Sequence, residues 1–486
     1  MISGTPPNWI TSSWYADQTL ERVRFVSSMS QLSPIRGFII PRSPPMVDER
    51  YARVNDRRVR LPKSGPIPLP PQRIRDLDSW LGCFTNWEKQ APLAGDRRSL
   101  GPARCRALLD RAGVPTPSGP VVQVAGTKGK GSTVLWMESL LRARAQPCAA
   151  TISPHLESIT ERIRIDGIEL PEAEIIDGLR LLHPHLIDLK QPDSDAPTFF
   201  DLWIALFIER AHQAGNRWIL LEVGLGGPLD STCAIGHDVG VLTTVDLDHQ
   251  AILGESIQEI TREKSRIATA GKPFIIAEGT HSDLAAEIAV SHGAIPEVIS
   301  DDDRLPPSVL FPQRLNAAVG LTALESVAGV KPWTVDEIQT ATELIELPGR
   351  LELLSGPPPL LLDGAHTPLS LAAFAGCFQS YCGSVPGALL LGMLQDKDAI
   401  SSLAPVAKLI PPPSIVSITV PSPRGLPAAQ LANIIESLGI RCQPLDEPQQ
   451  GLAWMMQKAA AGVPTAATGS MLLAGWIRRH WGEPLH

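Results

Sequence analysis

Several residues in this chain have the types and spacing to handle phosphate. Gly126-Thr127-Lys128-Gly129-Lys130-Gly131-Ser132-Thr133 follows the apolar run Val121–Val124 and precedes a helical stretch, Val134–Arg144. Glycines let backbone N–H groups turn inward around phosphate oxygens, and a helix that starts there favours negative charge. In such a loop Lys130 bridges the terminal phosphates, and Ser132 or Thr133 offers a hydroxyl to Mg²⁺. Gly131 stands directly after the lysine, where Ser or Thr is usual, so the hydroxyl comes one place later. The loop predicts nucleotide binding and leaves open what the ATP is used for.

Other polar groups close apolar strands. Glu222 ends Trp218–Leu221 and leads into Val223-Gly224-Leu225-Gly226-Gly227. A carboxylate there suits Mg²⁺, which takes oxygen ligands. Asp246-Leu247-Asp248-His249-Gln250 follows a strand expected over Val239–Val245, so His249 could converge with Glu222 on one metal, although imidazole is the less typical ligand. Lys264, in the helical stretch Ile257–Ile267, reads in isolation as a solvated helix charge. Leu360–Leu362 runs into Asp363-Gly364-Ala365-His366, and Arg350 in Pro348-Gly349-Arg350 places a permanent planar cation just before it.

These residues need elements to hold them. Strands expected over Val121–Val124, Trp218–Val223, Val239–Val245 and Phe274–Ala277 alternate with helices, the pattern of a parallel sheet covered on both faces. The pattern restarts near Leu347, with strands expected at Leu360–Leu362, Ala388–Leu391 and Ile415–Val420. The expected class is therefore α/β. A larger domain spans 73–345 and a smaller one 346–486, and clefts commonly lie at such junctions. Residues 1–72 carry ten Lys/Arg against five Asp/Glu and close on a proline-rich run, and are expected to be a disordered extension.

At 486 residues and a net charge of −8, a large core is expected and nucleic acid is disfavoured as the main partner. Seven scattered cysteines without a CxxC pair resemble neither a disulfide framework nor a zinc site, and no apolar run is long enough to span a membrane. A cytoplasmic protein with no membrane or nucleic-acid partner, acting as a monomer, is expected.

Taken in order, the segments resemble the folylpolyglutamate synthase/dihydrofolate synthase family of the Mur ligase superfamily. The markers are GTKGKGST (126–133), SPHL (153–156), ERIRIDG (161–167), TFFD (198–201), LEVGLGG (221–227), LDHQAILG (247–254), EK (263–264), PGRLE (348–352), DGAH (363–366), LLGMLQDKD (390–398) and TGSMLLAG (468–475). The resemblance implies a P-loop NTPase-like, parallel-sheet ATPase domain followed by a smaller Rossmann-like domain. It implies a ligase that adds L-glutamate to a folate, to dihydropteroate, or to both, through an acyl phosphate.

For the residues that match, the resemblance implies the following roles. Gly126, Thr127, Lys128, Gly129, Lys130, Gly131, Ser132 and Thr133 cradle ATP, with Arg350 and Asp363 reaching it from the second domain. Ser132, Ser153, Glu222 and His249 hold one or two Mg²⁺ ions, joined by Lys264 as a carbamoylated lysine. Lys130, Lys264, His249 and His366 are the candidate catalytic residues; Phe199, Phe200 and Asp230 lie toward the pterin. The chain departs from the family pattern at Pro228 (often Arg), Cys233 (usually Asn), Thr367 (usually Asn), Asp201 (for Glu) and Lys128 (Asn in many members). A ligase acting on a non-folate carboxylate, or an ATP-binding protein that has lost catalysis, are the competing readings.

Overall fold

The computed structural model describes residues 67–84, 86, 101–189, 197–279, 281–355 and 359–481. Eight strands form the larger sheet: β1 (Val121–Ala125), β2 (Cys148–Thr151), β3 (Ile163–Ile165), β4 (Ile168–Glu169), β5 (Trp218–Glu222), β6 (Val239–Leu242), β7 (Pro273–Ala277) and β8 (Ile295–Ile299). Their order is β4-β3-β2-β5-β1-β6-β7-β8. The strands from β2 to β8 pair in parallel, while β3 and β4 add an antiparallel edge that the apolar pattern did not predict.

Side chains alternate across β1. Val122 and Val124 pack under the helices Lys130–Ala143, Gln313–Glu325 and Val335–Leu344. Val121 faces the opposite cluster, with the helices Ala103–Arg111, Glu172–Leu189 and Phe199–Gln213. Both faces are thus covered, which is why the central strands read as mostly apolar runs; Gln123 in β1 is the polar exception, buried and donating through Nε2 to Thr232 Oγ1 at 2.8 Å.

The second sheet joins β9 (Glu352–Leu354), β10 (Leu360–Leu362), β11 (Ala388–Leu391), β12 (Ser414–Ile418), β13 (Cys442–Leu445) and β14 (Thr465–Thr468), in the order β13-β12-β11-β14-β10-β9. Only β9 runs antiparallel. Leu389, Leu391 and Ile415 pack on one face and Leu390, Val416 and Ile418 on the other.

Two expectations are corrected. The strand foreseen over Val239–Val245 stops at Leu242, because the Thr244 carbonyl accepts the N–H groups of Thr127 and Lys128 (2.9 and 3.0 Å) instead of continuing the ladder. The proline-rich extension is ordered before residue 72. Ile67 is buried, its carbonyl lies 3.1 Å from His183 Nε2, and the Pro68 carbonyl accepts Trp80 Nε1–H at 2.8 Å. Residues 1–66 lie outside the described residues. All seven cysteines are free.

Candidate active site

The helix after β1 begins at Lys130, four residues earlier than its apolar pattern, so Lys130, Gly131, Ser132 and Thr133 form its first turn. Gly129 precedes it at φ 91°, the left-handed region that favours glycine. A Cβ on Gly129 would collide with Asn316 Oδ1, and one on Gly126 with Thr243 Oγ1. The loop tip leans on the chain after β6: besides the two bonds to Thr244, Thr127 Oγ1–H donates to the Asp246 carbonyl at 3.2 Å. Ser132 and Thr133 are buried, and Thr133 Oγ1 has no hydrogen-bond partner in the protein. The N–H groups at this helix start have no intrahelical carbonyl to bond, which suits an anion.

Glu222 closes β5, beside β1, and is 3% exposed. Lys130 Nζ stands 3.8 Å from Oε1, and the Ser153 N–H donates to Oε2 at 2.7 Å. Arg350 Nη2 and Glu222 Oε2 both border Gly131, 3.3 and 3.1 Å from where a Cβ would sit, so a side chain there would crowd both. Burial pushes the Glu222 carboxyl up, opposed by Lys130, the Ser153 N–H and the Arg350 and Arg162 charges. The carboxylate depends on those cations in this dry setting.

Lys264 is buried, which overturns its reading as a solvated charge. Its helix, Ile257–Ser265, packs so closely on the loop after β5 that a Cβ on Gly227 would strike the Glu263 carbonyl. Burial, then Lys130, lowers the Lys264 amine to about 7. His249 is half-exposed in a left-handed conformation (φ 51°). Burial and the Lys264 and Lys130 charges hold its ring below the ordinary imidazole value despite Asp248. Glu222 and His249 thus share Lys130 as a charged neighbour.

Asp248 was not singled out from the sequence. One of its oxygens accepts the His249 N–H (3.0 Å) and the other pairs with Lys128 Nζ (3.4 Å). Burial raises this carboxyl, but Lys128, His249, Lys397 and His366 outweigh it and hold it well below the usual range. Thr367 Oγ1 reaches Asp246 Oδ2 at 3.4 Å, so the turn after β10 meets the turn after β6. Asp363 accepts the Leu351 and Ala365 N–H groups (2.8 and 2.7 Å), and burial pushes it up to about 6. His366 Nδ1 lies 2.8 Å from the Gly364 carbonyl, and burial followed by Lys128 lowers the ring to about 4.

The expected pterin-side residues have structural partners. Asp230 accepts the Leu225 N–H (2.9 Å), the Thr232 N–H (2.9 Å) and Thr232 Oγ1–H (2.6 Å), which shapes the loop after β5. Phe199 stacks on Trp203 at 5.9 Å within the core, with the Arg162 guanidinium 5.3 Å away. Phe200 is half-buried and covers Gly224, where a Cβ would meet its ring at 2.6 Å.

No family model matches the chain. The dihydrofolate synthase/folylpolyglutamate synthase of Escherichia coli (strain K12) is 31% identical over 391 residues, 77% of this chain and 88% of that protein. The chain belongs to this family. Escherichia coli FolC in complex with DHPP and ADP superposes with a TM-score of 0.71 at 28% identity, over 85% of this chain and 98% of that one. A bifunctional folylpolyglutamate synthase/dihydrofolate synthase with Mn, AMPPNP and L-glutamate bound gives a TM-score of 0.69 at 25% identity, over 85% and 99%. The two sheets accordingly have the Mur ligase architecture.

Among the described residues no group of three His, Cys, Asp or Glu could hold a metal. The donors of this family member nevertheless fit Mg²⁺, which keeps several waters and binds through one or two carboxylates plus substrate phosphates. Glu222 is a buried carboxylate and Ser132 a buried hydroxyl, the kinds of oxygen donor such an ion takes. Sequence reading also missed Asn316 and Lys397. Asn316 shows itself only through its contact with Gly129, and Lys397 stood inside a quoted marker with no role assigned.

Proposed function

We propose that this chain is an ATP-dependent ligase that adds L-glutamate to the carboxylate of a dihydropteroate- or folate-type acceptor. The observation that carries the reading is the placement of Lys130, Glu222 and Arg350 around one helix N-terminus, with the turn after β10 reaching the turn after β6 through Thr367 and Asp246. The family relationship supplies the reaction class. The acceptor carboxylate attacks the γ-phosphate of ATP, which releases ADP and leaves an acyl phosphate. The glutamate amine then attacks the acyl carbon, and phosphate departs. Bringing two anions together demands strong charge neutralisation, which Lys130, Arg350 and the N–H groups of the first helical turn supply here.

Ser132, Ser153, Glu222, His249 and a carbamoylated Lys264 would hold one or two Mg²⁺ ions, which when bound polarise the phosphates. The carbamoylation reading is supported by two observations: a buried amine lowered to about 7 is about half neutral near neutral pH, and among the described residues no three His, Cys, Asp or Glu side chains cluster to hold a metal without it. Arg350 and Asp363 act from residues 346–486 on a nucleotide held by residues 73–345. Phe200, with Phe199 and Asp230 behind it, shapes the pterin side. A cytoplasmic monomer completes the reading; among the described residues no helix is long and apolar enough to cross a membrane.

The test is ADP release by the purified chain with Mg-ATP and glutamate, with dihydropteroate and tetrahydrofolate offered separately and products weighed by mass spectrometry. A product one glutamyl unit heavier is expected with at least one acceptor. ATP binding with no glutamylated product from either acceptor refutes the reading.

A further inference from the structure

The segment Ser153–Arg162, between β2 and β3, touches both sheets. At its start the Ser153 N–H holds Glu222 Oε2 at 2.7 Å. Three residues on, Leu156 leaves the larger sheet's own core and joins the apolar cluster of the second sheet, with Leu360, Leu362, Leu473, Ala474 and Ile477. Its socket is built for it. A Cβ on Gly349 would stand 3.0 Å from both Leu156 methyl carbons and 3.5 Å from Ala474 Cβ, and one on Gly475 would strike the Leu156 carbonyl.

The surrounding contacts make the segment stiff. Glu161 accepts the N–H groups of Leu156, Glu157 and Ser158 at 2.6, 2.6 and 2.7 Å, so the turn moves as a unit. Arg478 then closes a circuit. It pairs with Glu157 Oε1 (2.5 Å) and with Glu352 Oε1 (2.9 Å), and Glu352 Oε2 accepts the Gly349 N–H at 2.8 Å. Gly349 immediately precedes Arg350, whose guanidinium borders Gly131 opposite Glu222.

We propose that Leu156 and Arg478 are positioning residues: seating Leu156 between Gly349 and Gly475 sets the separation of Glu222 and Arg350 across the nucleotide site. Leu156 touches no reacting atom. It ties the strand end that carries Glu222 to the turn that carries Arg350, so the site is complete only when the second sheet holds this side chain.

The proposal rests on the ATP-ligase reading, and the test separates the two. Leu156→Ala is compared with Leu452→Ala, which removes the same side chain from the same apolar cluster on the helix Pro448–Ala460, and with Leu156→Met, which refills the socket. Glutamate-dependent ADP release is measured well below each variant's melting temperature, and Mg-ATP affinity by fluorescent nucleotide titration. Leu156→Ala is expected to lower turnover about 10- to 100-fold, the scale of an ångström-sized misplacement, while Leu452→Ala and Leu156→Met retain wild-type turnover. In a double-mutant cycle on Mg-ATP affinity, Leu156→Ala and Arg350→Met should be non-additive by about fivefold or more, and Leu452→Ala and Arg350→Met additive.

Equal turnover losses in Leu156→Ala and Leu452→Ala, or an additive first cycle, overturn the proposal. Should Leu156→Ala not be recovered folded, Arg478→Ala takes its place. A loss of turnover that Arg478→Lys fails to restore is then expected, because an ammonium cannot serve Glu157 and Glu352 with the geometry of a guanidinium; unchanged turnover overturns the proposal. A wild-type chain without turnover refutes the ligase reading alone, and the affinity cycle still decides this inference.

Discussion

Replacing Gly129 by alanine tests the phosphate loop where its geometry is tightest. Two costs are readable. At φ 91° a residue with a Cβ is held in the left-handed region, which costs about 1–2 kcal/mol. The new methyl also overlaps Asn316 Oδ1; Asn316 is 6% exposed and its Nδ2–H donates to Gln313 Oε1 at 3.2 Å, so the amide cannot swing away freely. Overpacking of this kind costs about 1–3 kcal/mol. Together they come to about 2–5 kcal/mol. If the loop relieves the strain by changing shape, ATP affinity falls between about 30-fold and a few thousandfold, at 1.4 kcal/mol per tenfold. Gly439→Ala is the matched control, because Gly439 has φ 85° with nothing within 4 Å of a new Cβ. It pays the backbone cost in stability and leaves ATP affinity alone. Nucleotide titration and thermal melts on both variants complete the assay. A Gly129→Ala protein that binds ATP like wild type and melts like Gly439→Ala would falsify the account of this loop.

Further outcomes are expected. His237 and His366 are both lowered to about 4 by burial, so each binds fewer protons folded than unfolded; stability present above pH 6.5 should be lost as pH falls toward 4, and His237→Phe should flatten the slope of melting temperature against pH. Lys264→Ala should lose glutamate-dependent turnover by about 100-fold or more, and added short-chain carboxylic acids should restore part of it; wild-type turnover should also rise with dissolved bicarbonate in decarbonated buffer. Thr367→Val removes a 3.4 Å contact to Asp246 and the cap that Thr367 Oγ1 forms with Ser370 at the start of the helix Pro368–Cys382, so it should cost about 1 kcal/mol of stability while kcat changes less than about tenfold; a larger loss of kcat would give that turn a direct part in the chemistry.

The phosphate loop was legible because its requirement is local: glycines at positive φ, a lysine and a hydroxyl follow one strand within eight residues. Glu222 was legible for a similar reason, as the first charge after a run of apolar residues. Strands β2 and β14 were not. Cys-Ala-Ala-Thr and Thr-Ala-Ala-Thr carry little apolar signal, yet they lie in the interior of their sheets, where small side chains suit close helix packing. The threonines and valine of 243–245 misled in the other direction, since their β-branched side chains favour a strand while the Thr244 carbonyl is taken by the phosphate loop.

Lys264 and Leu156 show a deeper limit, because neither one's environment comes from its own segment. A helix with Arg262, Glu263 and Arg266 around Lys264 reads as a charged surface; Lys264 is buried because Gly227, 37 positions earlier, admits that helix against the loop after β5. Leu156, between a histidine and a glutamate, reads as part of a polar turn, and its partners lie almost 200 residues or more away, at Gly349 and Gly475. In each case glycine was the visible half of the pair: Gly227 in LEVGLGG, Gly349 in PGRLE, Gly475 in TGSMLLAG. Those glycines are not turn-formers alone. Each leaves out a side chain so that another segment can seat a functional residue, and the glycine markers of this chain therefore locate the contacts that assemble the site as well as the loops that line it.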